Sequence, residues 1–117
     1  MSVSDSHLWA VLRIGHDTSM RGEGISLIEA LRRTDYRRLR ESFNVKDLQR
    51  LLCADSALIE QWIAYSEDKR TGGWWLRPEP PAIGRTFAPH ADIQFETIEE
   101  ATAEYVLREL DYWSNLR

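Results

Sequence analysis

Cysteine is nearly absent from this sequence: Cys53 is the only one among 117 residues. A single cysteine cannot close an internal disulfide, so nothing indicates an oxidising compartment. The neighbours of Cys53 in the run LLCA are apolar, and we expect the thiol to be buried, because a free cysteine packs as a small hydrophobic side chain. The sequence around it gives no sign of the activation that a catalytic thiol needs.

Long apolar runs are lacking as well. No stretch approaches the roughly 20 apolar residues that a membrane-spanning helix needs. The first residues, MSVSDS, have neither the basic start nor the apolar core of a signal peptide. We therefore predict a cytoplasmic protein that does not contact a membrane.

Positive charge is not in excess. The net charge is −4 and the pI is about 5.4, whereas nucleic acid usually requires a concentrated basic surface. A local exception is an arginine cluster formed by Arg32, Arg33, Arg37, Arg38 and Arg40. Acidic residues are interleaved with it, which favours a solvated helix face with ion pairs over an RNA-binding face. Nucleic acid is therefore not the expected partner.

Motifs for a known reaction are missing too. His7, His16 and His90 are scattered, and with one cysteine they do not supply the converging ligands of a metal site. There is no glycine-rich phosphate loop and no Gly-x-Ser-x-Gly elbow. The sequence predicts no metal and no cofactor, and it favours a protein that is not an enzyme.

What the sequence does contain is an ordinary globular composition, with 43% hydrophobic and 29% charged residues. Its length predicts one domain over 1–117. The run 7–14 fits either helix or strand by period, but Asp5 or Ser6 as a cap and Gly15 as a stop favour a short helix. Residues 15–25 have the composition of a loop.

Capping signals predict a series of helices in the first half of the chain. Ser26 and Glu29 form a capping box, which predicts a helix over 26–42 that Thr34 can interrupt. Asn44 begins another helix, and Asp55 begins a third. The apolar residues of the last two fall on one face, as in helices that pack on a core.

The second half of the chain predicts a small sheet covered by a helix. Residues 74–77, 83–87 and 93–96 have strand patterns, and the prolines of the run RPEPPA should end the elements beside them. These strands predict a three-stranded antiparallel sheet at about 73–96. Thr97 and Glu100 form a second capping box, so a helix over 98–115 should pack on the sheet, which makes the fold α+β.

The stretch 66–75, SEDKRTGGWW, is the candidate site. Four charged residues run into two glycines, which permit a sharp reversal, and then into two tryptophans. We predict partner-binding residues here, namely Glu67, Asp68, Arg70, Trp74 and Trp75. The alternative is a solvated helix end followed by two core tryptophans. We also expect Asp68 and Arg70 to form a structural pair, and Lys69→Ala to be nearly neutral.

Two segments carry a resemblance to a known group. They are SEDKRTGGW at 66–74 and EATAEYVLREL at 100–110. Together they resemble small bacterial proteins that pair such a turn with a late helix, some of which are regarded as immunity proteins of contact-dependent or polymorphic toxin systems. The resemblance implies a cytoplasmic binding protein, and it carries over no catalytic residue.

Two functions follow as hypotheses. The first is an immunity-type or interaction protein that binds a protein partner, such as a toxin domain, through an acidic and aromatic surface. The second is a small-molecule-binding domain or small enzyme with a tryptophan-lined pocket near Asp68 and Arg70. The position of Trp74 distinguishes them, because a convex exposed ring favours the first and a concave cleft favours the second.

Overall fold

The structure, a computed structural model, describes residues 4–18, 24–69, 72–86 and 92–115. Its helices are α1 (Asp5–Leu12), α2 (Ile14–Asp17), α3 (Leu27–Thr34), α4 (Tyr36–Leu39), α5 (Val45–Ala54), α6 (Ser56–Asp68) and α7 (Ile98–Trp113), with a 3₁₀ turn at Arg40–Ser42 after α4. Its strands are β1 (Trp74–Pro78), β2 (Pro81–Arg85) and β3 (Ile93–Gln94). The predicted α+β fold is confirmed. Among the described residues, no helix combines the length and the apolar character that a membrane crossing requires.

The first helical segment is a helix, as favoured, but its predicted ends are wrong. Ser4 is its N-cap, and the chain turns at Arg13 rather than at Gly15. Gly15 lies inside α2, where a β-carbon would come within 3.0 Å of the Trp62 ring. Trp62 is fully buried and donates from Nε1 to the Leu12 carbonyl at 2.8 Å. Gly15 therefore permits close packing instead of ending a helix. The predicted loop over 15–25 is wrong for residues 15–17, which belong to α2, and its residues 19–23 lie outside the described residues.

The predicted interruption of the next helix is confirmed. α3 ends at Thr34, and Asp35 has a left-handed backbone with φ of 56°. The Ser26 side chain accepts from the Glu29 amide at 3.1 Å, so the cap is formed. The other half of the predicted capping box is wrong, because the Glu29 carboxylate pairs with Arg32 and Arg33.

Most residues of the arginine cluster form ion pairs, as expected. Besides the two pairs with Glu29, Arg38 pairs with Asp35. Arg40 reaches across to Asp111 of α7 at 2.8 Å. These contacts are typical of a solvated helix face that is tied to its neighbour at one end.

α5 and α6 begin where their caps predict. Asn44 and Asp47 form a complete capping box, and the Asp55 side chain accepts from the Ala57 amide at 3.1 Å. The expected burial of Cys53 is wrong, since its side chain is exposed. Leu51 and Leu52 occupy the buried face of α5, and one further residue rotates the helix by about 100°, which turns Cys53 outward.

The sheet is antiparallel, with the order β1-β2-β3. Trp74 lies opposite Arg85, and Leu76 lies opposite Ile83. The prolines bound the strands as predicted: Pro78 ends β1 and Pro81 begins β2. Both lie inside the strands, where they pair with each other. Terminal positions tolerate proline because no ladder donor is needed there. β2 begins and ends two residues before the predicted 83–87, and Phe87 lies outside the described residues. β3 begins at residue 93 as predicted but ends at Gln94 instead of residue 96.

α7 holds the sheet against the helices. It packs on α5 and α6 as well as on β1 and β2, as predicted for a covering helix. Ala101, Tyr105, Val106 and Leu110 are fully buried along its inner side. The first turn is capped by Thr97, whose Oγ1 accepts from the Glu100 amide at 3.2 Å. The Glu100 carboxylate meets the Thr97 hydroxyl instead of closing the predicted box on the backbone.

Thr97→Ala should lower the free energy of unfolding by about 1 kcal/mol, because the side-chain acceptor of the Glu100 amide is lost. Urea denaturation of the wild type and the variant measures this change. Thr97→Ser is the matched control, since it keeps the hydroxyl and should retain most of the stability. An unchanged midpoint at unchanged slope in Thr97→Ala would mean that the cap contributes nothing.

Candidate functional site

The two sequence segments that carry the resemblance meet at one buried carboxylate, that of Glu109. Glu109 is 0% exposed in α7, and Lys69 follows directly after α6. Lys69 Nζ lies 2.5 Å from Glu109 Oε2, and its side chain is only 9% exposed. This ion pair therefore joins the end of α6 to the last helix inside the protein.

Four hydrogen-bond donors surround the Glu109 carboxylate. Oε2 accepts from Lys69, from the Tyr65 hydroxyl at 2.8 Å and from Trp113 Nε1 at 3.1 Å. Oε1 accepts from the Trp74 amide at 2.8 Å. These four contacts come from α6, from the residue after it, from β1 and from α7, so the buried carboxylate fixes the turn against the last helix.

Burial changes the titration of the groups around this carboxylate. Desolvation lowers the pKa of Lys69 below its ordinary value, although the charge of Glu109 opposes the shift. Desolvation also raises the pKa of Tyr65 far above its ordinary value, and the Glu109 charge adds to the effect. The pKa of Tyr105 is raised for the same two reasons. At neutral pH these tyrosines are therefore neutral hydrogen-bond donors.

The same cluster fixes the start of β1. The Trp74 carbonyl accepts from Lys69 Nζ at 2.9 Å and from the Tyr105 hydroxyl at 3.1 Å. Ser66 Oγ accepts from the Leu76 amide at 2.8 Å. The expectation that Lys69→Ala is nearly neutral assumes a solvated Lys69 side chain. The side chain is instead buried, and it contacts Glu109 and the Trp74 carbonyl.

The predicted site residues are only partly brought together. Glu67 and Asp68 are exposed at the end of α6. Trp74 and Trp75 are half-buried and, as neighbours in β1, point to opposite faces of the sheet. Arg70 lies outside the described residues, and so does its predicted pair with Asp68.

Trp75 covers the outer face of the sheet. A β-carbon on Gly84, its partner in β2, would collide with the Trp75 ring. Arg77 lies over the same ring at 5.8 Å and donates from Nε to the Pro80 carbonyl at 3.1 Å. Trp75 and Arg77 therefore form a stacked pair on the side away from α7.

Trp74 lies in a concave site on the other face. We call this site the arginine–aromatic groove; its volume is about 880 Å³, and it is lined by Trp74, Arg85, Arg108, Asp111, Tyr112, Trp113 and Asn115. Gly72 borders it, since a β-carbon there would lie 3.5 Å from the Tyr112 hydroxyl. The end of the 66–75 turn is thus one edge of the groove.

Arg85 lies against the aromatic rings of this groove. Its guanidinium carbon is 4.7 Å from the Tyr112 ring centre and 5.7 Å from the Trp74 ring centre. Its Nε is shielded from solvent, and no described residue accepts a hydrogen bond from it. A buried donor without an acceptor costs free energy, so Arg85 retains unused capacity for an acceptor.

Arg108 adds a second guanidinium to the groove. It lies 5.0 Å from the Trp74 ring centre, and its Nε donates to Glu104 at 2.8 Å. Asp111 offsets little of this charge, because its carboxylate already accepts from Arg40 at 2.8 Å and from the Tyr36 hydroxyl at 2.7 Å. The groove consequently combines positive charge with aromatic walls.

The sequence interpretation missed the most important residues of this region, although signals for two of them exist. Glu109 is spaced four residues from Tyr105 and from Trp113, so it is a charged residue inside the apolar stripe of α7. Arg85 is two residues from Ile83, which is buried, so strand alternation puts both side chains on the same face. In both cases the useful signal is a charge at a position whose period predicts burial.

Among the described residues, no three His, Cys, Asp or Glu side chains lie close enough together to hold a metal ion.

Comparisons with protein-family models, with curated proteins and with solved structures find no match to this chain.

Proposed function

We propose that this protein is a non-enzymatic binding protein that contacts a protein partner through the arginine–aromatic groove. The concave setting of Trp74 by itself favours a ligand pocket, which is the second hypothesis. The observation that carries the proposal is instead the concentration of Trp74, Tyr112 and Trp113 around Arg85 and Arg108. Tryptophan, tyrosine and arginine are the residue types that dominate binding energy at protein interfaces. Tyr112 is 38% exposed, so its ring can be covered by a partner.

The contact surface differs from the acidic and aromatic one expected from the sequence. Its centre is basic and aromatic, and the exposed Glu67 and Asp68 belong to the neighbouring end of α6. Polar residues around an aromatic centre suit the rim of an interface. Glu67 and Asp68 would therefore influence the rate of association more than the affinity.

The class of partner comes from the resemblance to immunity proteins. A protein of that kind binds and blocks a toxin domain, which requires a rigid surface and no chemistry of its own. The buried Glu109 carboxylate supports a rigid site, because it holds Trp113 and the start of β1 in place.

The test uses the protein encoded immediately upstream of this chain's gene, where an immunity protein's toxin would be found. We expect it to inhibit growth when expressed alone, and co-expression of this chain should restore growth. In calorimetry, Arg85→Gln should weaken binding of the purified partner at least tenfold. Arg50→Gln is the control, since Arg50 pairs with Asp5 outside the groove. Equal binding by both variants, or no binding by the wild type, would contradict the proposal.

A small-molecule ligand is the second candidate function. The observation that favours it is the concavity around Trp74, because ligand pockets commonly have volumes of about 300–1,000 Å³. Native mass spectrometry of the purified protein would then show a bound mass that is lost in Arg85→Gln. If the wild type shows only the mass of the chain, without a bound ligand, after gentle purification, that result would count against this candidate.

A further inference from the structure

We propose that the arginine–aromatic groove binds a carboxylate of the partner, held by the in-plane N–H groups of Arg85 with Arg108 beside it. This inference rests on the proposed function for the source of the carboxylate. It adds the chemistry of recognition. The guanidinium of Arg85 binds an acidic side chain of the partner, and the aromatic rings of the groove contact an apolar side chain next to it.

Arg85 combines two aromatic neighbours with a planar set of donors. Its guanidinium carbon lies near the rings of Trp74 and Tyr112, and its five N–H groups lie in one plane. The Nε is shielded from solvent, so an incoming group would meet the two terminal nitrogens of the guanidinium. A carboxylate that approaches in the plane can accept two parallel N–H bonds, which is the geometry that favours arginine over lysine.

The charge of the groove also favours an anion. No described residue forms an ion pair with Arg85, and Arg108 shares one N–H with Glu104. Asp111 is the acidic residue of the groove wall, and its charge is offset by Arg40. An incoming carboxylate therefore meets the guanidinium of Arg85, which has no carboxylate partner among the described residues. Arg108 lies beside it, with its charge partly offset by Glu104.

The backbone keeps Arg85 in this place. Arg85 is the register partner of Trp74 in the antiparallel ladder, and the Thr86 amide continues the ladder to the Gly73 carbonyl at 3.0 Å. Trp74 is itself fixed through its amide to Glu109. A preorganised guanidinium loses little freedom on binding, which favours affinity.

The experiment compares two isosteric probes, acetyl-leucyl-glutamate amide and acetyl-leucyl-glutamine amide. They are titrated into the whole ¹⁵N-labelled chain, and the indole N–H signals of Trp74 and Trp113 are followed. We expect the glutamate probe to shift these signals with a dissociation constant at least tenfold lower than that of the glutamine probe. Inorganic phosphate is a third probe, and we expect it to bind more weakly than the glutamate probe.

Substitutions in the protein identify the group that binds. Arg85→Gln should abolish the preference for glutamate, and Arg85→Lys should reduce it, because lysine keeps the charge without the planar fork. Arg77→Gln is the matched control, since Arg77 stacks on Trp75 on the opposite face of the sheet. It should leave the preference unchanged. The spread of backbone amide signals shows that each variant is folded.

Equal binding of the two dipeptides would overturn the inference, and so would a preference for glutamate that survives in Arg85→Gln. Tighter binding of phosphate would also overturn it, in favour of a phosphorylated ligand. These results differ from failure of the proposed function, in which the glutamate probe binds through Arg85 but the upstream protein does not bind.

Discussion

Lys69→Met is expected to lower the free energy of unfolding by about 3 kcal/mol, because it leaves the Glu109 carboxylate buried without its counter-charge. Glu109 is 0% exposed, so water cannot replace the lost ammonium group. Methionine keeps most of the volume of lysine, so the loss reports the charge rather than a cavity. The Trp74 carbonyl loses the same donor, which adds to the effect.

The chain provides a matched control in its other lysine, Lys46. Lys46 is exposed in the first turn of α5, and Lys46→Met should change stability by less than about 0.5 kcal/mol. Guanidinium denaturation of both variants measures the difference. If Lys69→Met unfolds at the same concentration as Lys46→Met, then the buried pair does not stabilise the fold.

A double variant separates the charge from the rest of the network. Lys69→Met combined with Glu109→Gln removes both charges, and its loss should be smaller than the sum of the two single losses. Contacting residues of one network are generally not additive. Additive losses would show that Lys69 and Glu109 act independently.

Most of the fold could be predicted from local signals. The caps at Ser26, Asn44, Asp55 and Thr97 are carried by one or two residues each, and their contacts lie within three residues along the chain. Such contacts do not depend on the tertiary structure. The α+β arrangement then follows, because the apolar side of α7 and the inner face of the sheet are both buried when they pack together.

The candidate site could not be predicted in the same way, because its contacts join distant parts of the chain. In the sequence, Lys69 is one of four consecutive charged residues at a helix end. Its burial depends on the contact with Glu109, which is 40 residues away along the chain. In the sequence, Arg85 is one residue of a candidate strand. The aromatic ring that it contacts belongs to Tyr112 of α7, which is distant along the chain. The sequence singled out the 66–75 turn and predicted a structural pair of Asp68 and Arg70 there. The buried ion pair that the structure describes at this turn joins Lys69 to Glu109.

Gly73→Ala is expected to destabilise the protein by about 3 kcal/mol, and the reason is independent of charge. Gly73 has φ of +104°, a backbone conformation that a residue with a β-carbon adopts only at a cost of about 1–3 kcal/mol. The new β-carbon would also lie 2.6 Å from Glu109 Oε1 and 3.0 Å from Trp113 Nε1. Relief of that contact requires movement of the carboxylate that fixes the turn.

Gly72→Ala is the control that makes this result specific, because the two glycines are adjacent in the same turn. A β-carbon on Gly72 meets only the Tyr112 hydroxyl, at an ordinary contact distance of 3.5 Å. Alanine there also reduces the freedom of the unfolded chain, so stability should change by less than about 1 kcal/mol in either direction. Thermal unfolding of the two variants should therefore differ clearly, with Gly73→Ala melting lower. Equal melting temperatures would mean that the turn relaxes without disturbing Glu109, and that the groove wall formed by Trp74 and Trp113 does not depend on it.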